Sequence, residues 1–173
     1  MKKDVRLYNV LFPIWILMFW PTPPVVLITL LGNLAIDCLV LYVTLRVLKH
    51  PNRRQVVKKL WWRFWMFGFV ADIVGAWCMF LIGELPWLFC LGESGFSRFW
   101  DDTVIHIMHN PFAHPLALLV ALLCIAISGA LIYLLDKRAM KNCALLDQRQ
   151  RHIIALTMAV VTAPWLFLVP LYW

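Results

Sequence analysis

Residues 29–46 read TLLGNLAIDCLVLYVTLR and residues 63–80 read RFWMFGFVADIVGAWCMF. These are two apolar runs, each carrying one carboxylate, Asp37 or Asp72, and the segment between them is basic. An acid at the centre of a membrane helix costs about 2.5–3.5 kcal/mol on insertion scales, so its presence asks for a reason. Asp37 lies nine residues before Arg46, and Asp72 lies nine residues after Arg63. If both arginines mark one membrane face, a rise of about 1.5 Å per residue places both carboxylates roughly 13 Å inside it. The two helices run antiparallel on this reading, and the acids can meet.

Composition agrees with a membrane setting. Of 173 residues 63% are hydrophobic, and the mean hydropathy is +0.79. Soluble domains run nearer half apolar, so the excess points to an all-α, polytopic integral membrane helical bundle, with the whole chain as one transmembrane domain. A net charge of +7 in a soluble chain would suggest nucleic acid. Here the basic residues flank apolar runs, as juxtamembrane charge does, so the expected partner is a bilayer with anionic headgroups and not nucleic acid. The five cysteines form no CxxC and no disulfide framework, and they read as small apolar residues packed between helices.

Five spans are expected, over about residues 7–20, 25–48, 63–83, 116–135 and 153–171. The basic start before the first run imitates a signal peptide, but Pro21-Thr22-Pro23-Pro24 follows instead of a small-x-small cleavage site. These prolines are expected to break the helix. As a helix, residues 7–20 extend only about 21 Å, against a hydrocarbon core of about 30 Å. Pro51-Asn52 separates the second and third spans, with Asn52 an expected N-cap. In RRQVVKKLWWRFW, residues 53–65, charges give way to aromatics, as in a helix entering the bilayer through its interface.

Charge tests the count. Fifteen of the sixteen Lys/Arg residues fall in residues 1–6, 46–63 and 137–151, whereas residues 84–114 hold only Arg98 against four acids. Five crossings put the three basic segments on one side and the acidic one on the other. The positive-inside rule then gives a multi-pass protein of the cell membrane, N-terminus cytoplasmic and C-terminus external.

Two constellations could carry chemistry. Thr29, Asn33, Asp37 and Thr44 form one polar stripe, and Gly68, Asp72, Gly75 and Gly83 line one side of the next helix. Small residues there admit a close neighbour. Ser128 lies nine residues before Lys137, at the same nominal depth, so Asn33, Asp37, Asp72 and Ser128 are the expected site. Two bare carboxylates close together in low dielectric cannot both stay charged. Either a proton is held there or a cation such as Na+ sits between them, which suits cation, proton or ion-coupled solute movement. The structural alternative is a protonated Asp hydrogen-bonded to Asn33 or Ser128 as helix glue, worth about 1 kcal/mol. Matched aspartates on adjacent helices also suit an intramembrane aspartyl protease, but FVADIVG stands where a GxGD motif would be.

The second constellation is an external helix over residues 97–110, capped by Ser97 and stopped by Pro111. Phe96, Trp100, Val104, Ile107 and Met108 form an apolar side expected to lie on the membrane surface. Asp102, His106 and His109, at i, i+4 and i+7, with His114 beyond them, could ligate a divalent metal or simply face water. No Gly-rich phosphate loop and no Ser/His/Asp grouping occurs. The residues thus leave two functions: transport of a proton, cation or coupled solute, or a non-catalytic subunit or scaffold that binds membrane-protein partners, lipids or further copies of itself.

Overall fold

A computed structural model describes residues 23–88 and 95–170, and among these the chain is all helix. In order come α1 (Pro23–Val47), α2 (Arg53–Leu88), α3 (Gly95–His109), a 3-10 turn (Pro111–Ala113), α4 (Pro115–Ala139), α5 (Gln148–Val161) and a second 3-10 turn (Trp165–Leu168). Four segments are long and apolar enough to cross a membrane: Leu30–Val47, Arg53–Ile82, Pro115–Ala139 and Gln148–Leu168. The expected first span, residues 7–20, lies outside the described residues.

Local chemistry sets the boundaries, and several differ from expectation. α1 begins at Pro23, because a proline in the first turn lacks only an N–H that has no helical partner anyway. α1 therefore starts two residues before the expected 25, and the break expected before it lies outside the described residues. At its far end α1 closes with a Schellman turn: His50 N donates to Leu45 O, Lys49 N donates to Arg46 O, and Lys49 takes a left-handed φ of 52°. α2 runs 36 residues, about 54 Å, so it extends well beyond a 30 Å core at its basic, tryptophan-rich start. Asp147 opens α5 with a capping box, accepting from Gln150 N while the Gln150 side chain accepts from Asp147 N. This starts α5 five residues before the expected 153.

The last span is not one continuous helix to 171. α5 stops at Val161, since Pro164 lacks a donor and steers Ala163 away from helical backbone; a 3-10 turn carries the chain on. α4 runs four residues past the expected 135, and that extension proves important below.

The helices pack α1 on α2, α2 on α4, α4 on α5 and α5 back on α1. At the end of the bundle holding the 48–52 and 140–147 loops, Leu41, Leu45, Leu60, Phe64, Ile132 and Ile154 form a core. Toward the other end Ala76, Met79, Ile107, Ala117, Cys124 and Phe167 form a second. Ile107 belongs to α3, and Trp100 Nε1 of the same helix donates to Ile82 O. From the expected apolar side of α3, Ile107 and Trp100 thus pack on α2 and α4. The outer faces of the long helices are apolar and bare, with Leu39 61%, Leu134 59% and Val160 56% exposed. An apolar belt of that extent suits lipid, not water.

The two loops at the basic end are tied together. His50 Nδ1 accepts from Asn52 N, which leaves Nε2–H to donate to Leu145 O across the bundle. Arg151 donates to the carbonyls of Leu146, Lys141 and Cys143, holding the 140–147 loop against α5. Both basic loops thus lie at one end of the bundle, as an even number of crossings between them requires.

Candidate functional site

The site grows from three close approaches along α2. A Cβ placed on Gly68 would stand 3.4 Å from Asp37 Oδ2, so α1 lays its carboxylate over that glycine. A Cβ on Gly75 would collide with Ser128 Oγ and come within 3.1 Å of Phe167, so α4 presses its serine onto bare backbone. At the basic end Arg63 Nη1 donates to Ala139 O. These contacts set α2 antiparallel to both α1 and α4. Glycine is needed at 75 because no side chain fits between the helices there.

Asp37 and Asp72 are both buried, each only 7% exposed. The structure adds a third acid that sequence reasoning missed. Asp136, in the last turn of α4, is 1% exposed. Asp136 lies eight residues beyond Ser128, about 12 Å along α4, while Gly68 lies seven residues before Gly75, about 10 Å along α2. Asp136 therefore stands level with Gly68 and Asp37, and Asp72 lies one turn deeper.

Polar satisfaction marks these groups out. Thr44, Thr103, Thr157 and Thr162 each donate to a carbonyl four residues back, the usual refuge of a hydroxyl in a helix. Ser128 Oγ, 0% exposed, makes no such bond. Asp72 Oδ1 and both oxygens of Asp136 also have no hydrogen-bond partner. Among the described residues no Lys or Arg nitrogen stands within ion-pair distance of the three acids. Lys137 and Arg138, beside Asp136 in sequence, point outward. A buried carboxylate without base or donor is unfavourable by several kcal/mol, so protonation is the cheapest neutralisation open to this layer.

Asn33 is half-buried on α1 and makes no hydrogen bond to an acid. The glue reading, in which Asn33 or Ser128 would hold a protonated Asp, therefore has no such bond beneath it. The side chain of Thr29 lies outside the described residues.

A signal for Asp136 was present in the sequence: Cys124, Ser128, Ile132 and Asp136 recur at intervals of four, and all are buried. Asp136 lies one residue past the expected end of its span at 135, so the span's polar positions did not include it.

Two rings of the histidine constellation bond within their own helix. His106 Nδ1 bonds Asp102 O and His109 Nδ1 bonds Ile105 O, each within its own helix. Asp102 Oδ1 lies 3.8 Å from His106 Nδ1, and His114 stacks on His106 with ring centroids 5.7 Å apart. Asp102, His106, His109 and His114 share a neighbourhood, but among the described residues no group of three His, Cys, Asp or Glu is placed to hold a metal ion. The same holds for the three buried acids. Cys38, Cys78, Cys124 and Cys143 are free thiols.

No protein-family model matches the chain, and no curated protein or solved structure matches it either.

Proposed function

We propose that the chain is a multi-pass membrane protein that takes up and releases protons at Asp37, Asp72 and Asp136, moving a proton or a proton-coupled small solute across the bilayer. The observation that carries this reading is that buried carboxyl oxygens of Asp72 and Asp136, beside the buried Asp37, lack both hydrogen-bond donors and bases. Evolution tolerates such groups inside apolar bundles chiefly where they work. A proton is favoured over a divalent ion because, among the described residues, the acids are not gathered as a three-ligand set. The orientation that goes with it places the 48–52 and 140–147 loops in the cytoplasm, by the positive-inside rule, in the cell membrane.

The test uses purified chain in liposomes loaded with a pH-sensitive dye. An imposed pH gradient should dissipate faster than in empty vesicles, and Asp37→Asn, Asp72→Asn or Asp136→Asn should each slow it. Equal leak with and without protein, at both signs of membrane potential, overturns the reading.

The second reading, a non-catalytic subunit or scaffold, is favoured by one observation: the exposed apolar outer faces could seat a partner's helix as well as lipid. A membrane protein that co-purifies and on which expression depends would support it.

A further inference from the structure

The outer seam between α4 and α5 holds an apolar cavity of about 560 Å³, and a cluster of proton donors stands at one end of it. Its floor is made by small residues. A Cβ on Gly129 would meet Ala159 O at 3.2 Å, so the two backbones nearly touch there, and Ala126, Ala130 and Ala163 leave room above them. Leu122 and Trp165 bound the deep end, and Tyr133 bounds the end nearer the basic loops.

At Tyr133 the surface changes character. Lys137 Nζ donates to the Tyr133 hydroxyl at 3.2 Å, which directs the phenolic hydrogen to His152 Nδ1, 2.9 Å away. This arrangement leaves the exposed His152 with its Nε2–H turned outward and the exposed Lys137 with spare ammonium protons. Arg149 lies three residues before His152 on the same side of α5, and it is also exposed. No acid takes part in the cluster. It is a positively charged, donor-rich patch set at the mouth of an apolar slot.

We infer that this seam is a binding site for one anionic phospholipid, its phosphate on Lys137 and His152, which Tyr133 holds together, and one acyl chain along the α4–α5 groove. Dimensions support the assignment. From Tyr133 to Leu122 is eleven residues, about 16 Å along the helix, close to one leaflet's half of a 30 Å hydrocarbon core. Charge supplies the choice of headgroup: Lys137 and Arg149 attract an anion within a Debye length, and a net-neutral headgroup draws no such benefit. The inference rests only on the chain being in a bilayer, not on the acids carrying protons.

Native mass spectrometry of the full chain released from detergent tests it, with phosphatidylglycerol and phosphatidylcholine as the probes. One phosphatidylglycerol should be retained more tightly than any phosphatidylcholine. Lys137→Gln should weaken phosphatidylglycerol about fivefold, the effect of one cation at a membrane surface, and leave phosphatidylcholine unchanged. Ala130→Phe, which fills the groove, should remove the tight lipid; if that variant misfolds, Leu156→Trp serves the same purpose from the facing helix. Equal retention of both lipids, or full retention in the groove-filled variant, overturns the site. A dimer that the filling variant dissociates would assign the groove to a second copy and overturn it too. Asp136→Asn keeps the lipid whether or not it loses proton flux, so the two readings fail separately.

Discussion

Gly75 of α2 and Ser128 of α4 meet with no space for a methyl group between them, whereas Gly68, two turns away, keeps ordinary van der Waals distance from Asp37. The two glycines therefore predict different outcomes. Gly75→Ala should destabilise the bundle by about 1–3 kcal/mol, because Ser128, Phe167 and two backbones must all give way. Gly68→Ala should change stability by less than about 1 kcal/mol, since its methyl would only touch Asp37 Oδ2. Denaturant titration of both variants in the same detergent decides it, and equal losses would mean that the α2–α4 approach is looser than drawn.

Asp136 should be stabilising to lose and costly to function. Its two oxygens are buried without a partner, so Asp136→Leu should raise the unfolding free energy by about 1–3 kcal/mol. Asp136→Asn should fold normally and slow proton flux in liposomes. Thermal midpoints and dye-loaded vesicles read the two effects on the same preparations. A large loss of stability in Asp136→Leu would reveal a bond to the acid and reduce it to a structural group.

Two ordinary surface positions calibrate the helix ends. Lys49 occupies a left-handed conformation in the Schellman turn, so Lys49→Gly should stabilise by about 0.5–1 kcal/mol. Asp147→Ala removes the side-chain half of the α5 capping box and should cost about 1 kcal/mol. Opposite signs are expected from two substitutions at one end of the bundle. Hydrogen exchange of the 148–151 amides should rise only in the second.

Accessibility labelling tests the topology. His50 and Leu145 join the two basic loops, so single cysteines at positions 55 and 148 should label from the same side of the membrane. With the positive-inside orientation that side is the cytoplasm, and a cysteine at 95 should label from outside. Labelling of 55 from outside would reverse the orientation without touching the helix packing, and opposite sides for 55 and 148 would break the packing itself.

Removing the clasp between those loops is the complementary test. His50→Ala strands Leu145 O and Asn52 N at a position only 4% exposed, and should destabilise by about 1–3 kcal/mol. Exchange should quicken across 140–147 before it does in α2. Uniform quickening would show that His50 holds the whole bundle rather than this loop.

The sequence by itself determined the class of molecule and most of its helices. Apolar runs of membrane length, breaks at Pro51 and Pro111, and basic residues flanking the apolar runs follow from hydropathy, proline chemistry and charge. These act within a few residues along the chain and need no partner to be read. Asp37, Asp72 and Ser128 were legible for the same reason, since a polar side chain inside an apolar run stands out locally. What only the tertiary structure decided is which faces meet. Asp136 lies one residue past the expected end of its span, and only because α4 continues to Ala139 does it turn inward, level with Gly68. Ile107 of α3 could have faced outward equally well; Ala76, Met79 and Ala117 take it into a shared core. The seam that joins Tyr133 to His152 unites residues nineteen apart on two helices, and no local rule connects them. Helix rotation and register are set by close approach at glycines and by the burial of side chains from distant segments, and that information enters only when the helices pack.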